Sequence, residues 1–151
     1  MIADNSQLAL DVHVSHTQLD VVIKNEAPEQ VRVWARSNSW GWYTLALEVA
    51  GPPPSEDYYA LTVKPRAFTR NGPGFVEIPV GGTHVVTVTA GDPEWDGIDR
   101  LRHLRREPLR VRARFQVPPS PEAETHGVFV GEVSSPWQES QPPHPWLFAD
   151  N

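Results

Sequence analysis

Alternation of apolar and polar residues with a period of two is the feature that most constrains how this chain folds. It is clearest in LRVRARFQV, where Leu109, Val111, Ala113, Phe115 and Val117 alternate with Arg110, Arg112, Arg114 and Gln116. Successive side chains of a β-strand point to opposite faces. The pattern therefore predicts a strand that buries its apolar side and turns three arginines outward.

The same alternation recurs along the chain and predicts eight or nine short strands. The further runs are LALDVHVS, QLDVVIKN, VRVWA, TLALEV, YYALTV, FVEIPV, THVVTVTA and GVFVGEV. The 16 prolines and 10 glycines supply breaks between them, which favours many short elements over a few long ones. The sequence therefore predicts an all-β fold, a sandwich of two antiparallel sheets.

One stretch, DPEWDGIDRLRHLRRE, has the pattern of a helix. Asp92 is a candidate cap and Pro93 suits the first helical position. Ile98, Leu101 and Leu104 follow on one side, so we predict one short helix near residues 98–106.

The end of the chain is rich in proline. We expect residues 1–135 to form a single β-sandwich domain and residues 136–151 to form an extended Pro-rich C-terminal tail. The apolar residues Trp146, Leu147 and Phe148 should anchor this tail by docking on the domain.

Two longer segments carry a resemblance to a known family. PLRVRARFQVPPSPEAETHGVFVGEVSS resembles the final hairpin of bacterial immunoglobulin-like domains. FVEIPVGGTHVVTVTA is similar to the proline–glycine approach to their preceding strand. The chain lacks the Cys…Trp…Cys spacing of true immunoglobulin domains. The resemblance implies an immunoglobulin-like sandwich and says nothing about activity, because one fold carries many functions.

The composition narrows the function classes. There is no cysteine, which excludes disulfides, thiol nucleophiles and cysteine-ligated metals. MIADNSQLALDVHV lacks the basic and apolar regions of a signal peptide. No apolar stretch approaches the roughly 18–20 residues of a membrane span. We therefore expect a cytoplasmic protein that has no membrane partner.

Catalytic motifs are missing from the sequence. It contains no nucleophile elbow, no phosphate-binding glycine loop and no H-E-x-x-H zinc motif. His13 and His16 are close, but their spacing gives them opposite strand parity unless the turn begins between them. The acidic loop GDPEWDGID lacks the ligand spacing of a calcium-binding hand. We expect no enzyme activity, no cofactor and no metal.

Charge is unevenly distributed. Residues 100–114 hold seven arginines and a single acid, Glu107, and so carry about +6. With a net charge of −6, the rest of the chain carries about −12. A basic strip on an acidic body steers anionic partners toward it.

Trp34 would lie between two arginines on an outer face if VRVWAR is a strand. Val31 and Val33 would then point inward, and Arg32, Trp34 and Arg36 would share the outer face. In an immunoglobulin-like sandwich the third strand neighbours the penultimate one. The resemblance therefore implies a shared basic face of Arg32, Trp34, Arg36, Arg110, Arg112 and Arg114, with Phe129 at its rim. Neighbouring acids that neutralise the arginines, or a tail that covers Trp34, are the alternatives.

Two more tryptophans lie in SNSWGWY. The strand parity of the following run points Tyr43 inward and Trp40 and Trp42 outward, unless Gly41 introduces a bulge. Exposed indoles here would form a stacking platform.

We therefore predict a non-enzymatic protein-binding module of inhibitor, immunity or adaptor type, which binds an acidic protein through the Arg/Trp face. The alternative is a carbohydrate-binding module that uses Trp40 and Trp42. Nucleic acid is a less favoured partner because the whole chain is acidic. A hydrolase with a spatially assembled site, and a homo-oligomer formed through a sheet edge or the tail, stay open.

Overall fold

The structure, a computed structural model, describes residues 7–54 and 57–149. Its strands are β1 Leu8–Val14, β2 Gln18–Asn25, β3 Val31–Trp34, β4 Leu45–Ala50, β5 Tyr58–Val63, β6 Phe75–Ile78, β7 Thr83–Thr89, β8 Trp95–Asp96, β9 Leu109–Val117, β10 Gly131–Ser134 and β11 Gln138–Ser140. The helices are α1 Ser39–Trp42, a 3₁₀ helix Ile98–Leu104 and α2 Pro121–His126. The prediction of an all-β protein is confirmed.

The strands form three antiparallel sheets. The first has the order β1-β2-β7, and the second has the order β10-β9-β4-β5-β8 with β11 also paired to β9. The third is the pair β3-β6. Strand β1 lies close to β9, β10 and β11, so the first sheet meets the second along that line.

Strand β9 organises the large sheet. It pairs with β4 on one side and with β10 and β11 on the other. Its predicted inward residues Leu109, Val111, Ala113, Phe115 and Val117 are all buried. The parity read from the sequence is confirmed, and the three arginines alternate onto the opposite face.

The predicted helix near residues 98–106 is present as a 3₁₀ helix over Ile98–Leu104. The prediction of an Asp92 cap is wrong. The Asp92 carboxylate instead accepts a hydrogen bond from the Glu94 amide at 2.9 Å, which closes a turn before β8. The 3₁₀ helix begins after Gly97, whose φ of 100° suits a residue without a Cβ.

Two helices were not predicted. In α2, Ser120 caps the Ala123 amide, Pro121 takes the first position and Gly127 ends the helix at a φ of 62°. Ser120, Pro121 and Gly127 are ordinary signals for the start and end of a helix, but the alternation in the following GVFVGEV favoured a strand. The predicted strand GVFVGEV is consequently shorter, because only Gly131–Ser134 forms β10.

The C-terminal segment is more regular than the predicted extended tail. It contributes β11, and the anchoring residues Trp146, Leu147 and Phe148 are buried in the core. The docking of these three residues is therefore confirmed. No helix in the described part of the chain is long and apolar enough to cross a membrane.

Candidate functional site

The two predicted rows of outward residues do not lie side by side. Strand β3 pairs with β6, whereas β9 pairs with β4, β10 and β11. Arg32 and Arg36 are thus separated from the β9 arginines. The error came from assuming the strand order of the resembled family, which the alternation pattern does not specify.

The Arg32 side chain is held by contacts with neighbouring residues of the same chain. Its guanidinium donates to the His126 carbonyl at 2.9 Å and lies 4.4 Å from the centre of the Phe75 ring. Glu77, its cross-strand partner, is 3.9 Å away. Arg32 therefore joins β3 to the end of α2 and to β6.

Trp34 is buried, with 3% of its surface exposed, and the prediction that it points outward is wrong. Its ring stacks on Trp40 with 5.5 Å between centroids. Phe129, expected at the rim of the basic face, is also buried and stacks on Phe115 at 6.1 Å. The Trp34 and Phe129 rings both belong to the hydrophobic core.

The exposure of Trp42 and Tyr43 is the reverse of the prediction. Trp42 is buried and its indole donates to the Lys64 carbonyl at 2.8 Å, whereas Tyr43 is 53% exposed. The reason is local. Residues 39–42 form α1, and the side chains of a helical turn do not alternate as those of a strand do.

The start of α1 is fixed by two residues. The Asn38 side-chain carbonyl accepts from the Gly41 amide at 3.0 Å, and the Asn38 amide donates to the Gly74 carbonyl. A Cβ on Gly41 would lie 2.0 Å from the Ala35 carbonyl oxygen. Only glycine allows α1 to approach the end of β3 so closely.

Arg36 lies among aromatic rings. Its guanidinium is 5.0 Å from the Trp42 ring and 6.0 Å from the Trp95 ring, and it pairs with Glu94 at 3.2 Å. Burial, and then the charge of Arg36, lower the pKa of His84. Two further guanidinium nitrogens of Arg36, Nε and one Nη, are buried and donate to no partner among the described residues. Arg36 is a half-buried cation, with 21% of its side chain exposed, that pairs with Glu94 of the same chain.

The arginines of β9 are largely neutralised in their own sheet. Arg112 pairs with Glu48 of β4 at 2.5 Å, and Arg114 pairs with Glu132 of β10. Glu139 lies opposite Arg110, which also donates to the Gly51 carbonyl at 3.2 Å. Of the alternatives considered for this face, the structure shows the one in which acidic residues of neighbouring strands neutralise the arginines.

Aromatic rings lie against two of these arginines, Arg110 and Arg112, on the outer face. The guanidinium carbon of Arg112 is 4.4 Å from the centre of the Trp137 ring and 5.6 Å from that of Tyr58. Arg110 is 5.2 Å from Trp137. We call Tyr58, Arg110, Arg112 and Trp137 the arginine–aromatic cluster. Strand parity in YYALTV could have assigned Tyr58 to this face, but no pattern pointed to Trp137.

Unpaired positive charge lies just before β9. Arg102 pairs with Asp99 at 2.9 Å, and Arg100 donates to the Ala60 carbonyl. Arg105 and Arg106 are exposed, and their side chains bind no other residue in the described ranges. Arg106 is four residues from Arg110, within about 14 Å along the chain. The free cations thus lie on the chain leading into the cluster.

A separate cleft opens between α1 and the end of β9. Its volume is about 480 Å³, and its lining consists of Trp34, Ser39, Trp40, Tyr43, Thr44, Gln116, Pro118 and Ser120. We call it the aromatic cleft. Trp40, predicted to be displayed, is half-buried here, and its indole donates to the Glu122 carboxylate at 3.4 Å.

A serine and a histidine near the C-terminus are hydrogen-bonded to each other, but both are buried, with Ser140 2% and His144 0% exposed. His144 Nδ1 is 2.7 Å from Ser140 Oγ, and its Nε2 is 2.6 Å from the Glu107 carbonyl. The carbonyl only accepts, so Nε2 carries the proton and Ser140 donates to Nδ1. Trp146 donates to the same Ser140 oxygen at 2.8 Å. This chain of hydrogen bonds ties the C-terminal segment to Glu107, two residues before β9.

No group of three or more potential metal ligands occurs within the described residues. Comparisons with protein-family models, curated proteins and solved structures find no match for this chain. Two surfaces are therefore the candidates for function: the arginine–aromatic cluster and the aromatic cleft.

Proposed function

We propose that the chain is a non-enzymatic protein-binding module, of inhibitor, immunity or adaptor type, for an acidic protein partner. The observation that carries this proposal is the arginine–aromatic cluster, with Tyr58 46% exposed beside Arg112 and Trp137. Tyrosine, tryptophan and arginine are the residue types that dominate binding energy at protein interfaces.

The cluster is pre-organised. Arg112 is held between the Glu48 carboxylate and the Trp137 ring, so little side-chain freedom is lost on binding. Tyr58 and Trp137 have their rings 6.5 Å apart and offer adjacent apolar surface.

Charge attraction comes from the neighbouring Arg105 and Arg106. Because the sheet arginines are paired with glutamates, these two exposed side chains supply the free positive charge beside the cluster. Exposed charges of this kind raise the association rate and make binding sensitive to salt.

We also propose that the sheets form an immunoglobulin-like sandwich. Support comes from the antiparallel pairing and from the approach of β1 to β9, β10 and β11. The cysteine-free composition suits a cytoplasmic location, which we retain as part of the proposal.

The experiment is affinity capture from the soluble extract of the source cells, followed by affinity measurement with the captured partner once purified. Tyr58→Ala and the double variant Arg105→Glu/Arg106→Glu are compared with wild type. We expect the Tyr58 change to weaken binding at least about tenfold. The double charge reversal should slow association and reduce its salt dependence.

Arg70→Glu is the matched control, because Arg70 is exposed in another loop. It makes the same charge change per residue and should bind like wild type. Charge reversal of Arg112 is unsuitable, since it would place a second carboxylate beside buried Glu48. Equal binding by wild type, Tyr58→Ala and the double variant would refute the proposed surface.

A further inference from the structure

We propose that the aromatic cleft is a binding site for a neutral saccharide, separate from the arginine–aromatic cluster. Its volume of about 480 Å³ lies within the range of about 300–1,000 Å³ that is usual for small-ligand sites. The predicted platform of Trp40 and Trp42 is not formed, because Trp42 is buried. Trp40 and Tyr43 form the aromatic surface of the cleft instead.

The charge around the cleft selects a neutral ligand. Within the described residues, none of the side chains that line it is charged. The nearby carboxylate of Glu122, held by the Trp40 indole, would repel an anion. Phosphates, carboxylates and acidic peptides are therefore poor occupants, because no cation in the described ranges lines the cleft to pair with them.

Trp40 and Tyr43 each contribute an aromatic ring to the lining of the cleft. Trp40 stacks on buried Trp34 at 5.5 Å, which fixes the indole in place, and Tyr43 is 53% exposed beside it. An aromatic face is electron-rich, so it attracts the polarised C–H groups on one side of a sugar ring.

The polar groups of the cleft match sugar hydroxyls. Tyr43 Oη accepts from the Arg66 amide at 3.1 Å, and Ser39 Oγ accepts from the Asn71 side chain at 2.6 Å. Each hydroxyl keeps its own proton to donate, and exposed Gln116 both donates and accepts. A sugar hydroxyl also does both. A proline-rich peptide, which docks in aromatic grooves as well, presents chiefly carbonyl acceptors.

The test is isothermal titration calorimetry with four neutral oligosaccharides: cellohexaose, mannohexaose, maltohexaose and chitohexaose. Decaproline is the peptide probe. We expect at least one sugar to bind wild type, and Tyr43→Ala to weaken that binding at least about tenfold. Tyr43→Phe, which keeps the ring and removes the hydroxyl, should lie between them.

Tyr58→Ala is the matched control, because Tyr58 is a similarly exposed tyrosine on the large sheet. It should bind the sugar like wild type, and its melting temperature and that of the Tyr43 variants confirm folding. Three results would overturn the proposal: none of the four sugars binds, the bound sugar is unaffected by Tyr43→Ala, or only decaproline binds in a Tyr43-dependent way.

Discussion

Glu48 is buried beside Arg112, with 2.5 Å between the carboxylate Oε1 and the guanidinium Nε. The carboxylate side chain is 5% exposed, whereas the guanidinium side chain is 29% exposed. A carboxylate in such a position is stable only while its partner is present. The pairing of β4 with β9 thus includes an ion pair whose carboxylate is buried.

Replacing Glu48 by Gln should lower the free energy of unfolding by about 1–3 kcal/mol, because Arg112 loses its charged partner and the site stays desolvated. Urea denaturation measures the change. Glu132→Gln is the matched control at the exposed Arg114 pair and should cost less than about 1 kcal/mol. Equal losses in the two variants would contradict the role assigned to the buried pair.

Gly41→Ala should destabilise the fold by at least about 2 kcal/mol, because the added Cβ would overlap the Ala35 carbonyl and force α1 away from β3. Thermal unfolding followed by circular dichroism measures this. Gly72→Ala, where a Cβ meets nothing within 4 Å, should leave the melting temperature unchanged or slightly raised. A Gly41→Ala variant as stable as wild type would show that α1 can shift freely.

Acidification should destabilise the protein through His144. Burial lowers the pKa of His144 from its ordinary value of 6.5, although the hydrogen bond to the Glu107 carbonyl acts in the other direction. Below 6.5 the unfolded chain therefore binds a proton that the folded chain excludes, so the free energy of unfolding falls as the pH falls. His84, with its pKa lowered by burial and by Arg36, adds to the trend.

Urea denaturation on either side of the ordinary histidine pKa measures this slope. His144→Asn should flatten it, and asparagine tolerates the positive φ of 55° at this position. His13→Asn, at an exposed site on β1, should keep the wild-type slope. A His144→Asn slope as steep as that of wild type would assign the acid sensitivity to other groups.

Trp146→Ala should lower the free energy of unfolding by about 3–5 kcal/mol, because it removes a fully buried indole and its bond to Ser140. Chemical denaturation measures the loss. Val130→Ala, at a 42% exposed position, should change stability by no more than about 0.5 kcal/mol. A small effect at Trp146 would mean that the C-terminal segment is dispensable to the core.

The local pattern of the sequence was sufficient for most of the strands and for the position of the 3₁₀ helix, but it did not predict the short strands β8 and β11. Residues 109–117 alternate without interruption, and every inward residue of β9 is buried. The tryptophan assignments failed because strand parity was extended across SNSWGWY. Asn38 and Gly41 turn that stretch into α1, which buries Trp42 and exposes Tyr43.

The sequence by itself determined that this is a β protein and which side of each clear strand is apolar, because alternation acts between residues two apart. Only the tertiary structure decided what each arginine faces. Glu48 and Arg112 are 64 residues apart in the chain and meet because β4 pairs with β9. The aromatic cleft also needs tertiary structure, because it forms only where Trp40 and Tyr43 lie near the distant Gln116. Such contacts depend on long-range pairing, which a local period does not encode.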